Sequence, residues 1–244
     1  IKRDKLGGRG MAITGIVLGA VGTLLIPIVI LVGMLLPAAT SAMKTARDLN
    51  AKSNMKQIGS AAVYHEIDHK AYPAAASGEA PNQVSWRIQL APYLGAPLIP
   101  EQYQKDQPWD SAANMELVPM IPGILRDIGE TSPPSGNTNY LALVGEDTAF
   151  PPGGGPLSSW NIIDGTSNTI LFVEANDEFA VPWTQPKDLD FDPESPTTGL
   201  GNKRRGHFIA VFADGSARQI SNDIDPAVLR AMSTPAGGEI VEAE

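Results

Sequence analysis

The chain contains no cysteine. That excludes a disulfide framework and a thiolate metal site, without fixing the compartment. Positive charge is scarce: 18 Lys and Arg stand against 27 Asp and Glu, a formal net charge of −9. A phosphate backbone needs a basic face, so nucleic acid is excluded as a partner. Charge of either sign is missing from Gly10 to Met43, which reads GMAITGIVLGAVGTLLIPIVILVGMLLPAATSAM. That uncharged run is the most informative stretch of the sequence.

The chain does have Gly and Pro, 24 and 21 of its 244 residues, which suits a loop-rich β domain. Apolar residues make up 43%, enough for a folded core. Setting the apolar arm aside leaves enough chain for one sizeable core or two small ones. The first residues carry Lys2, Arg3, Lys5 and Arg9 against Asp4 alone. Basic residues just before an apolar stretch hold that end in the cytoplasm during insertion, so the acidic bulk is expected to face outward. Lys203-Arg204-Arg205 is the one basic cluster in the remainder, read as a solvated turn.

A membrane span needs about 20 apolar residues, and Met11 to Ala39 is longer. It is too long for the short apolar core of a cleavable signal peptide, and it leads directly into a helix-favouring segment. Gly15, Gly19 and Gly22 make small-residue notches that let helix backbones approach. Pro27 and Pro37 each remove a backbone donor, and Pro27 is expected to kink or unwind the helix. Two readings stay open: a lone transmembrane helix, or a helix packed against copies of itself through Met11, Gly15, Gly19, Gly22, Pro27, Leu31, Leu35 and Leu36.

The spacing then predicts an amphipathic helix over 44–72, with Leu49, Met55, Ile58 and Ala62 near one face and Pro73 as its stop. Trp86 to Leu94 and Ser111 to Val118 read as short helices in a Pro-punctuated region. TNYLALVG and TILFVEA read as strands. FIAVFADGSARQI reads as a hairpin turning at Asp214-Gly215, its first strand apolar on both faces and therefore central. Pro226 to Met232 reads as a last helix, and 236–244 as a frayed or neighbour-paired tail. The expected divisions are a basic segment 1–10, an apolar helix 11–43, the helix 44–72, an α+β domain 73–235 and the tail.

Three motifs could carry chemistry. HEIDH, His65 to His69, matches the zinc-peptidase pattern H-E-x-x-H, with Glu66 as base. A third ligand would have to be His207 or a carboxylate, and the histidines are expected instead to make hydrogen bonds or pack between helix and domain. Asp188-x-Asp190-x-Asp192 begins like a calcium loop, but Pro193 and Gly199 stand where an EF-hand needs Gly and Glu. A looser calcium cage and a solvated acidic loop both remain candidates. Asp164-Gly165-Thr166-Ser167-Asn168 reads as a turn whose side chains bond their own backbone, and His207 as a structural residue at the hairpin base.

Several phrases together resemble pilin-like proteins with a prepilin-type N-terminal helix and a domain of unknown function ending in a His…Asp-Gly signature. These are MLLPAATSAMKTARDLNAKSNMKQIGSA, YHEIDHKAYP, SWRIQLAPYL, PWDSAANMELVPMIP, TNYLALVGEDTAF, DGTSNTILFVE, VPWTQPKDLDFDP and HFIAVFADGSAR, in family order from Leu35 to Ile220. Gly10-Met11 fits the cleavage position of such helices, but the fifth residue beyond it is Gly15 where the family has Glu. His207 precedes Asp214 by a shorter gap than is usual there. The resemblance implies a type IV pilin-like α+β fold, with the long helix on an antiparallel sheet. It implies a structural subunit, not an enzyme, of an extracellular or cell-envelope filament. Its partners would be the membrane before assembly and copies of itself, as a helical homopolymer, afterwards. Two alternatives stand beside it: an anchored pseudopilin or secretion component, and a zinc peptidase.

Overall fold

The computed structural model describes residues 8–126, 135–204 and 206–238; side chains at 8–9, 21–22, 24–32, 34 and 36–38 also lie outside the description. The chain divides into two compact units, Ile1–Arg47 and Asp48–Glu244. The basic segment and the end of the tail therefore fall largely outside the described residues. The second unit begins at Asp48, within the helical segment 44–72.

Helix α1 is assigned over Gly8–His69. It continues through Pro27 and Pro37 without a break, so the local unwinding expected at Pro27 is absent. Its end lies just before Pro73. Lys70 turns into the left-handed region at φ 62°, while its ammonium donates to the Ile67 carbonyl and caps the last turn.

After α1 come β1 (Ala76–Ser77) and β2 (Val84–Ser85), a two-stranded ribbon, then α2 (Trp86–Leu90), α3 (Ile99–Gln102) and α4 (Ala112–Met115). The Ser85 and Ser111 hydroxyls cap α2 and α4 by accepting from Arg87 N and Asn114 N. The following strands are β3 (Asn137–Thr138), β4 (Tyr140–Val144), β5 (Ile170–Glu174), β6 (Val181–Pro182), β7 (Leu189–Asp190), β8 (His207–Phe212) and β9 (Ala217–Ser221). Helix α5 (Pro226–Ser233) follows, with Asp225 accepting from Ala227 N as its cap.

Five strands form one sheet in the order β7-β4-β5-β8-β9. All pairs are antiparallel except β4–β7, which is parallel. The sheet is therefore mixed, a correction to the expected antiparallel one. A two-residue strand in an acidic stretch carries no periodicity, and its long crossover from β4 leaves no local signal.

Alternation along β8 builds two cores. Ile209 and Val211 join Met55, Ile58 and Ala62 of α1 with Trp86, Ile88 and Phe172. Phe208, Ala210 and Phe212 join Leu229 and Met232 of α5 on the opposite face. The strand is central and covered on both sides, as its doubly apolar pattern predicts. Burying Met55 and Ile58 contributes about 1.5–3 kcal/mol each. On β5 the neighbours Leu171 and Phe172 share a face, at a register shift between Ile170 and Phe172. Leu49, expected on the buried face of α1, is exposed; Ala51 takes that place.

Candidate functional site

The described residues of the arm include several large apolar side chains that are exposed. Met11, Ile13, Ile16, Val17 and Leu18 are all more than half exposed, and at 100° per residue they point all round the helix. Leu35 is exposed as well. A Cβ built on Gly15 or Gly19 would meet nothing within 4 Å among the described residues. Thr14 and Thr23 donate their hydroxyls to the carbonyls of Gly10 and Gly19, four residues back. The side chains of Gly22, Pro27, Leu31 and Leu36 lie outside the described residues. Among the described residues no helix is long and apolar enough to cross a membrane.

Two turns picked from sequence come together at the α1–sheet joint. Asp214 N donates to Thr166 O, and Ala213 N to Thr169 O, tying the hairpin to the Asp164-Gly165 turn. The Asp214 carboxylate accepts from Ser216 N and faces Arg218 at 3.6 Å. Gly215 has φ 81°, and Gly59 of α1 lies directly against it. Tyr72 donates its phenol to Ala213 O at 2.8 Å; burial, with Glu66 and Asp214 adding to it, pushes that phenol up to about 12, so it stays a donor. His207 begins β8 opposite Ser221, a strand's length from Asp214, so the two form no catalytic dyad. A Gly215→Val variant is expected to lose about 1–3 kcal/mol, because the left-handed backbone disfavours a β-branched side chain. Val63 Cγ2, only 3.2 Å from the added Cβ, crowds it further. Thermal melting checks this, and an unchanged midpoint would exclude the strain.

Asp164 has a partner that the sequence did not suggest. Its carboxylate accepts from Gly237 N and Gly238 N at 2.7 and 3.0 Å, while Ile163 N and Asp164 N donate to Pro235 O. The described start of the tail is therefore docked on its own domain.

The calcium candidates do not converge. The Asp188 side chain is 3% exposed, and its Oδ1 accepts from Arg87 Nη2 at 2.7 Å, Trp86 Nε1 at 2.9 Å and Ala142 N at 2.8 Å. Asp190 is exposed at the sheet edge, and Asp192 accepts from Glu194 N in a local turn. Asp188 thus serves a structural ion pair, and no group of three His, Cys, Asp or Glu that could hold a metal occurs among the described residues. Arg87 is wholly buried. It also donates to Tyr140 O and the Ser85 hydroxyl, and it lies over the Trp86 ring, which stacks on Phe172 at 4.2 Å. Burial pulls the guanidinium below its usual range, and Asp188 opposes that shift.

HEIDH makes ordinary hydrogen bonds. His65 Nδ1 meets Ala71 O at 2.9 Å, and His69 Nδ1 meets His65 O at 3.2 Å, with the rings stacked at 4.2 Å. Glu66 accepts the Ser159 hydroxyl, and Asp68 accepts the Tyr93 phenol. Burial, ahead of the weaker influences of Ala71, His69 and Asp68, holds His65 below the usual imidazole range.

Of the basic cluster, Arg204 is no solvated turn. Its side chain is 7% exposed and is clamped between Glu174 of β5 and Asp48 of α1, while Lys203 pairs with Asp177. The buried Glu174 and the acid at the start of the domain's helix were signals for it, but only long-range folding joins them.

No curated protein and no solved structure matches the chain. Residues 40–123 do match one family; the whole five-stranded sheet falls outside the matched range. Across that range the chain is similar to the family described as "Protein of unknown function (DUF1559)".

Proposed function

We propose that this chain is the structural subunit of a type IV pilin-like filament of the cell envelope or exterior, assembled through residues 11–43. The observation that carries the reading is the arm. It is uncharged over Gly10 to Met43, its described apolar side chains are exposed all round, and Gly15 and Gly19 stand open on one face. A helix that is apolar all round needs lipid or other helices about it. Lipid gains nothing from glycine notches, whereas a neighbouring helix approaches closely there. Before assembly the arm lies in a membrane; in the fibre, acidic domains form the solvated sheath around it.

A second reading has its own observation. Gly15 occupies the place where pilin-like helices carry the Glu that docks subunits, which favours an anchored component that binds a partner without forming long fibres. Electron microscopy of the native assembly separates the two. Fibres that are lost in Gly19→Leu, with the domain still folded by circular dichroism, support the filament. Only monomers in detergent or lipid would replace it with the anchored component.

A further inference from the structure

Two strand edges of the domain border one cavity. The five-stranded sheet ends at β7, and in the parallel ladder with β4, Phe191 N donates to Val144 O. Bonds in such a ladder alternate along the strand, so the N–H and C=O of Asp190 point away from β4. In the β1–β2 ribbon, Trp86 N donates to Ala75 O, which makes Ala76 and Ser85 the pair that exchanges no bonds. The N–H and C=O of Ala76 therefore face out of the ribbon. Among the described residues, neither of these backbone units has a hydrogen-bond partner.

Ala76 and Asp190 both line a cavity of about 260 Å³. Much of the remaining wall is small or rigid: Ala74, Ala75, Pro186 and the loop 151–155, which is all Pro and Gly. That loop makes no hydrogen bond to β1 or β7 among the described residues, so it does not satisfy either edge. The lining side chains of Gln83, Lys187 and Asp190 are likewise without a partner there, whereas Asp188 is committed to Arg87.

Open backbone donors and acceptors at a strand edge are matched by another extended backbone. The cavity is smaller than the roughly 300–1,000 Å³ of small-molecule pockets, and walls of Ala and Gly let a main chain come close. Every described strand of this chain already pairs with another, so a second folded copy has no spare described strand to offer. We propose that this slot binds an extended segment of a different protein as an added strand. Its main chain bonds Asp190 and Ala76, and its small apolar side chains, Val or Ala, meet Ala74, Val144 and Phe150. Lys187 and Asp190 favour flanking residues of opposite charge to their own.

Fluorescence anisotropy of fluorescein-labelled Gly-Glu-Val-Ala-Val-Lys-amide, titrated with the full chain in detergent, tests this. The peptide is expected to bind. An analogue N-methylated at the Val-Ala-Val residues keeps the side chains, lacks those amide donors, and is expected to bind at least tenfold more weakly. Gly155→Leu is expected to abolish binding with melting unchanged, because Gly155 lines the slot and a Cβ there meets nothing within 4 Å among the described residues. Asp190→Pro removes the outward donor of β7 and spares the Phe191 bond to β4, and is expected to weaken binding at least tenfold. Hydrogen exchange at the Ala76 and Asp190 amides is expected to slow in the complex. No binding of the first peptide, equal binding of its N-methylated analogue, unchanged exchange at both amides, or binding that either variant leaves intact overturns the proposal. A dimer that forms without peptide and is lost in Gly155→Leu would assign the slot to a second copy and overturn it equally.

Discussion

Replacing Arg87 with Met is expected to destabilise the domain by about 3–5 kcal/mol. Arg87 has no exposed surface, and the Asp188 side chain is 3% exposed. Removing the guanidinium leaves a buried carboxylate with only the Trp86 and Ala142 N–H groups. It also frees the carbonyl of Tyr140 from two donors, and that residue opens β4. An uncompensated buried charge, not the lost attraction, dominates the effect. For a domain of this size the melting midpoint should fall by roughly 6–20 °C. Adding Asp188→Asn to Arg87→Met should recover part of the loss, because the stranded charge is gone. It should not recover all of it, since the neutral amide is a poorer acceptor for the indole and for Ala142 N. A midpoint within about 2 °C of the unmodified chain in Arg87→Met would show that the pair is not structural.

Gly59→Val is expected to be nearly as severe. A Cβ at Gly59 would sit 2.6 Å from the Gly215 carbonyl oxygen and 2.9 Å from Val211 Cγ1. The first of these is backbone, locked in a tight turn, and cannot swing aside. Either α1 lifts from the hairpin or the turn distorts. Overpacking of this kind costs about 1–3 kcal/mol, and a rigid backbone target puts it at or above the upper end. Gly59→Ala should show a smaller loss in the same direction, read by denaturant melting of both variants. Unchanged stability in both would mean that α1 does not seat on the hairpin as described.

Much of the fold was legible because its signals are local. The doubly apolar run Phe208 to Phe212 and the Asp214-Gly215 turn specify a central strand and a hairpin by pattern alone, and both are present. TNYLALVG and TILFVEA likewise become β4 and β5. What escaped was long-range. The parallel β4–β7 pair joins residues far apart in the chain, and β7 is too short to show alternation. Arg87 lies in a segment that the sequence marks only as a short helix; its distant partner Asp188 makes it a core residue. The same partnership removes Asp188 from a calcium site that spacing alone had suggested. Arg204 was misjudged for the same reason, since Glu174 and Asp48 come to it from two separate elements. For the candidate assembly site, the absence of charge was fully legible, and the open space at Gly15 and Gly19 needed the coordinates.

Copies of this chain are proposed to pack through the glycine face of the arm, and the absence of cysteine makes a direct measurement available. Single cysteines are introduced as Gly15→Cys, Gly19→Cys and Val17→Cys, and each full-length variant is oxidised in its native membranes or fibres. Gly15 and Gly19 share a face, while Val17 points about 200° away from Gly15. Non-reducing gels should show disulfide-linked dimers for Gly15→Cys and Gly19→Cys and little for Val17→Cys. Monomers from all three variants, or equal cross-linking at Val17→Cys, would rule out packing through the glycine face.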